Sequence, residues 1–590
     1  MDETRQVGRN LSQGTMSPPE PRKKANITAH RIRNEKVMND PVHGRIFLPG
    51  VAVALIDTPQ FQRLRKLKQL GLCYYVYPGA CHNRFEPSLG VAHLAGTLIT
   101  NILNRQPELK APIDPVTLLP SASPAFVTPN DVVCVQLAGL LHDLGHGPFS
   151  HVFDNVLLKN ICPGSSWNHE EAGCKLIDYM LLTNNIDLSA YGLDKKRDIE
   201  FIKECIVGVS KQECDRRDEH KAWDRPRFLY FIINNKESGL DVDKLDYYQR
   251  DCAGAGLRAN DKFSELLDTA SVVKCTDHVF RLCYPEKYYE SVFDAFHIRF
   301  KLHRKVYQHR VVKAVEYMLC DALSLAHDHL LLPTYKKDGS LGKEKSIAES
   351  LDDLGLYTRL NDSILDLIWH SVNPKLDAAK MILRRIEIRN LYLNLGQVPM
   401  AKSLQARLQK HRGEKHVEFQ QRYKREVENI TEEIASYSDG LDACHLIVDI
   451  TVIHHGKKDG SNPVDQVYFF KKGSEYASVL STEKFQSILP RTFIERGIRV
   501  YCRERILGAK AQVAFNKWCK RQDGAFSPIC SFSQDTSKFH SIEDDEGSTD
   551  EDHSTDSTDY FPGISCATSG GLHTSGSEEL ETLVASPSRL

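Results

Sequence analysis

The feature that most limits the fold of this chain is the segment Asp131–Gly147, in which an apolar run leads directly into His142 and Asp143. Its length and its almost continuous apolar character favour a buried helix that starts after a cap at Asn130 or Asp131 and ends at its last glycine. A buried helix tolerates polar side chains only where they find partners, because an unpaired buried polar group costs free energy. The segment therefore predicts a helical core with a chemical site at one helix end.

Length and composition exclude several classes of protein. At 590 residues the chain is too long for one hydrophobic core, so we expect a large helical body with appendages or two lobes with tails. Mean hydropathy is -0.39, and no apolar run is long enough to cross a bilayer, so we expect no membrane partner. The polar N-terminus does not resemble a signal peptide, and the 16 cysteines are expected as plain buried side chains in a reducing compartment.

The chain divides into four predicted parts. Residues 1–35 form a disordered arm, in which Pro21–Lys24 is a candidate nuclear import signal, although such basic runs are more often simply solvated. Residues 36–335 form a helical domain that carries the His-Asp segment, and residues 336–525 form a second helical lobe. Residues 526–590 form a disordered tail that is acidic and rich in serine and threonine.

Three local patterns refine this prediction. Apolar residues at helical spacing in Ile56–Leu70 predict one amphipathic helix. Residues 111–131 are crowded with proline and serine, which predicts an exposed inserted loop. β-branched and aromatic residues cluster in His445–Ile453 and Asp465–Lys472 around a Gly/Asn/Pro turn, which predicts a small antiparallel hairpin. The predicted fold class is mainly α with a minor antiparallel β element.

The strongest chemical signal is the set His142, Asp143, His146 and His151. Adjacent histidine and aspartate at the end of a buried helix can aim a nitrogen and an oxygen at one divalent metal, and His146 lies one turn further on the same face. The alternative is that each side chain is a satisfied core or capping group, which we disfavour because so many buried polar groups are costly.

Two further clusters are less specific. Gly239–Asp251 combines several acids with Lys244, Tyr247 and Arg250, and a distant aspartate is what a His-Asp pair needs as a further ligand; taken alone, the segment also fits a solvated, salt-bridged helix. Phe296–Arg310 alternates basic and aromatic residues, which suits a polyphosphate beside a stacked sugar or base, but also a solvated or RNA-facing surface.

One further histidine and the lack of several common motifs bear on the chemistry. His169 is a candidate general acid because of its near-neutral intrinsic pKa, although a lone histidine is usually structural. The sequence has no Walker loop, GxSxG elbow or dinucleotide-binding fingerprint, so it gives no support to P-loop, esterase or dinucleotide chemistry.

Six segments resemble, in order, the vertebrate SAM- and HD-domain deoxynucleoside triphosphate triphosphohydrolases. They are NDPVHG at 39–44, DTPQFQRLRKLKQLG at 57–71, YYVYPGACHNRFE at 74–86, HDLGHGPFSH at 142–151, DVDKLDYYQRD at 241–251 and YQH at 307–309. The resemblance runs from about residue 36 to about residue 520. No SAM module is recognisable in the short, polar arm that precedes it.

The resemblance implies an HD-domain core and a metal-activated hydroxide that attacks the α-phosphorus of a dNTP and releases deoxynucleoside and triphosphate. It implies zinc, iron or manganese at the HD site together with magnesium, and GTP or dGTP as activator. It also implies homo-oligomers from dimer to tetramer, a nuclear location with the cytoplasm as a further place, control of dNTP pools and restriction of viral replication. Single-stranded nucleic acid is a further candidate partner.

The resemblance also assigns roles by position. His142, Asp143 and Asp243 match metal ligands; His169 matches the general acid, His146 and His151 lie beside the phosphates, and Asp143 counts among the catalytic residues as well. The phosphate contacts of the family are matched by Arg84, Lys244, Tyr247 and Arg299. The deoxyribose pocket is matched by Gln69, Leu70, Asp251, Tyr307 and Gln308. The nucleotide activator sites are matched by Lys36, Val37, Asp57, Gln62, Arg65, Val76, Lys287, Arg310 and Arg389.

The main departure from the family is Pro87, which stands where the family has a histidine that is its first metal ligand. Proline offers no ligand atom, and neither His82 nor His93 is an easy substitute. Pro285 and Leu393 likewise replace basic residues of an activator site, which predicts weaker nucleotide-driven assembly. The leading hypothesis is a dNTP triphosphohydrolase whose activity is impaired.

Two alternatives to an active enzyme stay open. The first is a pseudoenzyme that acts as a guanine-nucleotide sensor, a binder of single-stranded nucleic acid or a regulator of an active paralogue. The second is a helical interaction scaffold, which the pocket residues retained in three distant segments disfavour.

Overall fold

The structure describes most of the chain between residues 35 and 522. The computed structural model describes residues 35–522 except 114–124, 163, 166, 259–262, 337, 410–413 and 415. The predicted tail at 526–590, the arm up to residue 34 and most of the predicted 111–131 loop thus lie outside the described residues. All described residues fall within one compact unit, so the predicted boundary near residue 335 stays a prediction.

Helices dominate the described residues, which confirms the predicted mainly α fold class. The helices are α1 Gly50–Ile56, α2 Pro59–Gln62, α3 Phe85–Arg105, α4 Pro129–Leu141, α5 Leu158–Ile161, α6 His169–Thr183, α7 Arg197–Val207, α8 Lys211–His220, α9 Val242–Gly254, α10 Phe263–Thr269, α11 Tyr289–Leu302, α12 Arg310–Ala326, α13 Leu354–Tyr357, α14 Ile364–His370, α15 Asp377–Glu387, α16 Lys402–Leu408, α17 His416–Ala435 and α18 Gly508–Arg521.

Helix α4 is the predicted buried helix, but its bounds differ from the prediction. It starts at Pro129 after a capping box of Thr128 and Asp131, so the predicted cap at Asn130 or Asp131 is wrong. Proline at the first helical position is favoured because its missing N–H would have no partner there. The helix ends at Leu141 rather than Gly147, since residues beyond His142 form a turn.

The contact between α3 and α4 depends on a glycine. A Cβ atom on Gly139 of α4 would lie 3.0 Å from the backbone of Val91 and Ala92 in α3. Both helices are mostly buried along their length. The glycine therefore lets the two backbones approach closely, which fixes the end of α4 relative to the start of α3.

The single helix predicted for Ile56–Leu70 is wrong. The chain forms α1, breaks at Asp57, restarts with Thr58 as the N-cap of α2, and then continues as a short 3-10 helix at Arg63–Lys66. Pro59 at the first position of α2 explains the restart, because proline disfavours helical geometry at the residue before it.

Eight strands form three small sheets in the described residues. The strands are β1 Lys36–Asp40, β2 Gly44–Leu48, β3 Ser271–Lys274, β4 Phe280–Pro285, β5 Leu393–Pro399, β6 Leu446–His454, β7 Phe469–Phe470 and β8 Ile494–Cys502. β1 and β2 form an antiparallel hairpin, and the other sheets have the orders β3-β4-β7 and β5-β8-β6.

The predicted hairpin between His445–Ile453 and Asp465–Lys472 is wrong. β6 pairs antiparallel with β8 over its whole length, from Leu446 opposite Cys502 to His454 opposite Ile494. The second predicted strand contributes only β7, which pairs parallel with β4. β8 matches β6 residue for residue, whereas the two residues of β7 offer too little backbone to hold a partner of that length.

Buried residues form one large core and a second core in the C-terminal part of the chain. The second core packs α17 and α18 against the sheet β5-β8-β6 and includes Val500, Phe515 and Trp518. Among the helices of the described residues, none is both long and apolar enough to cross a membrane.

A buried ion network ties the N-terminal hairpin to α9. Arg250 donates to both carboxylate oxygens of Asp246 at 2.9 and 2.8 Å and to Asp40 at 2.8 Å. Nε2 of His43 donates to the same Asp246 at 2.6 Å. Since Asp40 ends β1 and Asp246 lies in α9, these four side chains hold the hairpin against the helix.

Candidate active site at the His-Asp turn

The turn that follows α4 is held by buried donors. Arg63 donates to the carbonyl oxygens of Leu144 and His146, and the hydroxyl of Tyr357 donates to that of Gly145 at 2.7 Å. A Cβ atom on Gly145 would lie 1.9 Å from the carbonyl oxygen of the first residue of α6. The backbone of the turn is therefore fixed on one side by side chains and on the other by α6.

His142 presents one free nitrogen to two carboxylates. Its Nδ1 donates to the carbonyl of Gly139 at 2.7 Å, so Nε2 is the ring nitrogen that faces the carboxylates. This Nε2 is buried without a hydrogen-bond partner, 3.4 Å from Asp143 Oδ2 and 3.3 Å from Asp243 Oδ1. Burial alone would lower the pKa of His142, but the two carboxylates outweigh it and raise the pKa to about 9.

The three predicted ligands His142, Asp143 and Asp243 thus lie together at the ends of α4 and α9. Imidazole nitrogen and carboxylate oxygen suit zinc, iron or manganese, and a ligand histidine whose other nitrogen donates to a carbonyl is the usual arrangement in metal sites. The donor set therefore fits a divalent metal. We name these three residues the HD set.

Both oxygens of Asp143 already have partners in the protein. Oδ2 accepts from Nη1 of Arg84 at 2.7 Å, and Oδ1 lies 3.2 Å from Nε2 of His146. Burial favours the neutral carboxyl, but the charges of Arg84, His142 and His146 hold the pKa of Asp143 well below its ordinary value. Arg84, predicted as a phosphate contact, therefore lies inside the site.

Four other side chains form a tighter group beside the HD set. His146, His151, Asp154 and His169 each offer one ligand atom, and these atoms lie within 4.8 Å of one another. Oδ2 of Asp154 lies 2.8 Å from Nδ1 of His169, 3.8 Å from Nδ1 of His151 and 3.9 Å from Nδ1 of His146. We name them the HHDH set; such a cluster can hold a divalent metal.

Asp154 is the site residue that sequence reasoning missed. It lies in a π-helical turn at Phe153–Leu157, so no regular helical spacing pointed to it. The one available signal was its position three residues after His151. Burial would raise the pKa of Asp154, but the imidazoles of His151 and His169 hold it well below its ordinary value.

His169, the predicted general acid, is hydrogen-bonded to a carboxylate. Its Nδ1 donates to Asp154 at 2.8 Å, which leaves Nε2 for another partner. Burial lowers the pKa of His169, but the hydrogen bond and charge of Asp154 outweigh burial and raise it above its ordinary value. The hydrogen bond to Asp154 therefore favours the protonated form of this imidazole.

Pro87 is the third residue of α3 and is buried. A proline in the first helical turn removes an N–H that has no partner within the helix, so the helix accepts it without distortion. Nε2 of His82 donates to Asp251 at 2.9 Å, and the ring of His93 lies 5.7 Å from that of His43. Both histidines are thus engaged elsewhere.

The predicted deoxyribose residues are brought together in part. The hydroxyl of Tyr307 donates to Asp251, which also accepts from His82. Gln69 donates its backbone N–H to the carbonyl of His82 at 3.1 Å, and Leu70 follows it in the same turn. Gln308 caps the π-helical turn that carries Tyr307.

The predicted phosphate contacts other than Arg84 are bonded to neighbours of their own. Nζ of Lys244 donates to Asp241, the N-cap of α9, at 2.7 Å. Arg299 donates to the carbonyl of His454 at 2.6 Å. Tyr247 lies on α9 three residues after Lys244 and four before Asp251, and burial raises the pKa of its hydroxyl.

The residues matched to activator sites lie on several elements. Lys36 and Val37 are exposed on β1, Asp57 ends α1, and Gln62 accepts from Arg65 at 2.8 Å. Arg389 donates to the carbonyl of Tyr75, and Val76 is the next residue in the chain. Lys287 lies 4.6 Å from the ring of Tyr288, and Arg310 starts α12.

Comparisons with known proteins agree with this geometry. A family model described as HD domain matches residues 84–200. The deoxynucleoside triphosphate triphosphohydrolase SAMHD1 of Bos taurus is 38% identical over 506 residues, which cover 83% of this chain and 79% of the relative. The human protein of that name is 38% identical over 514 residues, covering 83% and 75%. A homologue from Dictyostelium discoideum is 30% identical over 502 residues, covering 85% and 83%. The chain therefore belongs to the SAMHD1 family of HD-domain proteins.

Proposed function

We propose that this chain is a metal-dependent hydrolase that converts a dNTP and water into a deoxynucleoside and triphosphate. The observation that supports the proposal most is the similarity over most of the chain to relatives named as deoxynucleoside triphosphate triphosphohydrolases. The cluster of histidines and aspartates at the end of α4 supports it independently, since it combines ligands for a divalent metal with a candidate proton donor.

The proposed chemistry assigns different tasks to the residues of the site. When bound, a divalent metal supplies Lewis acidity at the phosphate and acidifies water. Arg84, Lys244 and Arg299 neutralise the triphosphate, and Asp251 with Tyr307 orients the deoxyribose. His169, held by Asp154, gives the proton of its Nε2 to the departing 5′ oxygen.

Several finer assignments belong to the same proposal. The HD set holds zinc, iron or manganese, with magnesium on the substrate, and GTP or dGTP activates the protein through the residues matched above. The chain assembles from dimer to tetramer, acts in the nucleus or cytoplasm, and limits dNTP pools and thereby viral replication. The support for these assignments is the family resemblance alone.

A second candidate function rests on Pro87. The HD set contains three protein ligands, and Arg84 bonds to one of them, so a chain with this site could bind nucleotide without hydrolysing it. Such a pseudoenzyme would act as a guanine-nucleotide sensor, as a binder of single-stranded nucleic acid or as a regulator of an active paralogue.

The release of triphosphate from dGTP separates the two functions. Purified full-length chain is assayed with GTP and Mg²⁺ or Mn²⁺, beside Pro87→His and the matched control Pro87→Ala. We expect wild-type turnover that Pro87→His increases by about tenfold or more, because metal sites lose 10- to 100-fold in affinity when ligand support is removed. Turnover by Pro87→His alone would favour the pseudoenzyme. No turnover by the wild type or by either variant would refute the proposed hydrolysis.

A further inference from the structure

Two neighbouring residues of the turn after α4 have a backbone conformation that L-amino acids rarely adopt. The φ angles of Phe149 and Ser150 are 58° and 55°, and among the described residues no other two neighbouring non-glycine residues both have positive φ. Each such residue costs free energy and keeps its conformation only where its surroundings hold it. The turn lies between His146 and His151, so the groups that hold it also determine where these two histidines lie.

A carboxylate from the C-terminal half of the chain holds this turn. Asp362 lies between α13 and α14, and its Oδ1 accepts the backbone N–H of Phe149 at 2.7 Å. Its Oδ2 accepts the backbone N–H of Lys68 at 2.8 Å, and its own backbone N–H donates to the carbonyl of Lys66 at 3.2 Å. One side chain therefore joins the turn after α4 to the loop that carries Gln69.

A chain of hydrogen bonds connects the same turn with Asp143. The hydroxyl of Ser150 donates to the carbonyl of Lys68 at 2.6 Å and accepts from Nε of Arg84 at 2.9 Å. Nη1 of the same guanidinium donates to Asp143 at 2.7 Å. Ser150 and Arg84 are 1 and 3% exposed, so solvent does not compete for these bonds. A displacement of the turn would therefore move the guanidinium relative to Asp143.

The two oxygens of Asp362 are both needed as acceptors. Burial raises the pKa of Asp362 to about 6, and the backbone N–H groups of Lys68 and Phe149 oppose this effect. Hydrogen bonds to an ionised acceptor are stronger than those between neutral groups. Asparagine has the same shape but replaces one oxygen by an NH₂ group, which donates and cannot accept. Asp362→Asn therefore removes one of the two bonds and leaves the size of the side chain unchanged.

We propose that Asp362 is a positioning residue of the candidate active site. It holds the turn that carries His151, on the predicted phosphate side, against the loop that carries Gln69, on the predicted deoxyribose side. Through this turn and the hydroxyl of Ser150 it also keeps the guanidinium of Arg84 in place. The inference rests on the proposed hydrolysis for the roles of these side chains, whereas its geometric part concerns the turn and needs no turnover.

The first test measures amide exchange in the full-length chain, because exchange does not depend on turnover. The backbone N–H groups of Val152 and Phe153 donate to carbonyls of the turn and not to Asp362, so their exchange reports on the turn itself. In Asp362→Asn they should exchange roughly 10- to 100-fold faster, since a hydrogen bond to a charged group is lost. Asp353→Asn is the matched control, because Asp353 accepts the backbone N–H of Leu356 outside the turn, and it should leave this exchange unchanged.

The second test measures the hydrolysis of dGTP, in the wild type or, where only that variant turns over, in Pro87→His. Asp362→Asn should lower kcat by about 10- to 100-fold, because small displacements of catalytic groups cost that much, while KM should change far less. Ser150→Ala should act in the same direction. The double variant should be little worse than the more impaired single variant, because both substitutions break the same chain of bonds. Asp353→Asn should keep the kcat of its background.

The outcomes separate this proposal from the proposed hydrolysis. Unchanged exchange of Val152 and Phe153 in Asp362→Asn would overturn the positioning role, as would a lower unfolding midpoint with an unchanged kcat. If Asp362→Asn fails to fold, Ser150→Ala decides by the same exchange measurement, and unchanged exchange there would overturn the role. If neither the wild type nor Pro87→His turns over, the proposed hydrolysis fails, and the exchange measurement alone decides whether Asp362 holds the turn.

Discussion

Removing Arg250 should detach the N-terminal hairpin from α9. The guanidinium bonds to Asp246 and Asp40, and the three side chains are 3, 0 and 2% exposed. In Arg250→Ala both carboxylates stay buried, and His43 is the remaining side-chain donor of the network that contacts Asp246. Asp40 keeps two backbone donors, from Val42 and His43.

The size of the effect follows from this burial. Removing one partner of a buried ion pair costs about 3–5 kcal/mol, because the remaining charge is left without compensation. That range equals roughly a 10²- to 10⁴-fold larger population of the opened hairpin. Since the network joins β1 to α9, the opening should be local rather than global.

Hydrogen exchange of the backbone amides measures this opening directly. In Arg250→Ala the paired amides of β1 and β2 should exchange roughly 10²- to 10⁴-fold faster, while those of α18 should be unchanged. Arg250→Lys keeps the positive charge but loses the paired N–H groups of the guanidinium. Its exchange rates in β1 and β2 should lie between those of the wild type and those of Arg250→Ala. Arg216→Ala, which removes an arginine that is 57% exposed, should change nothing. A less than tenfold acceleration in Arg250→Ala would refute the reasoning.

Three further changes test the site and its surroundings. Gly145→Ala should lower the unfolding midpoint and cost about 1–3 kcal/mol by overpacking α6, whereas Gly173→Ala, whose Cβ would lie 3.4 Å from Gly145, should be tolerated; equal midpoints would contradict this. Arg63→Ala should weaken the binding of Zn²⁺ at the HD set by about tenfold in a titration, because the His-Asp turn loses its support. An unchanged affinity would show that the turn keeps its conformation without Arg63. Burial, with Arg299 and Lys458, lowers the pKa of His454 to about 4. Because this lies below the unfolded value of about 6.5, the stability that His454 contributes is present above pH 6.5 and is lost as pH falls towards 4. The unfolding midpoint of the wild type should therefore drop more between pH 7 and 5 than that of His454→Asn.

Sequence reasoning succeeded where the signal was local. The apolar run before His142 identified the buried helix, and the pairing of His142 with Asp143 identified the chemical site. The helix bounds were wrong because Thr128 and Asp131 form a reciprocal cap that outweighs the apolar pattern. Sequence patterns thus gave the helix and its site, while capping decided where the helix starts.

The failures concern contacts between distant segments. Asp154 joins the site because a π-helical turn and the start of α6 meet in space, and no sequence periodicity encodes that contact. β6 finds its partner in β8, beyond the whole of residues 455–493, so the nearer apolar segment was a misleading choice. Strand pairing of this kind is decided by length and register rather than by proximity in the chain.

The bridge from β1 to α9 makes the two regions thermodynamically linked. Lys36 and Val37, which match a nucleotide activator site, share a hairpin with Asp40, while Asp243 and Lys244 share a helix with Asp246. A ligand that orders the hairpin therefore stabilises the helix that carries Asp243, a predicted metal ligand. By reciprocity, a ligand that orders α9 must favour binding at the hairpin by the same factor. A few buried charges thus suffice as the physical connection between the hairpin and the helix.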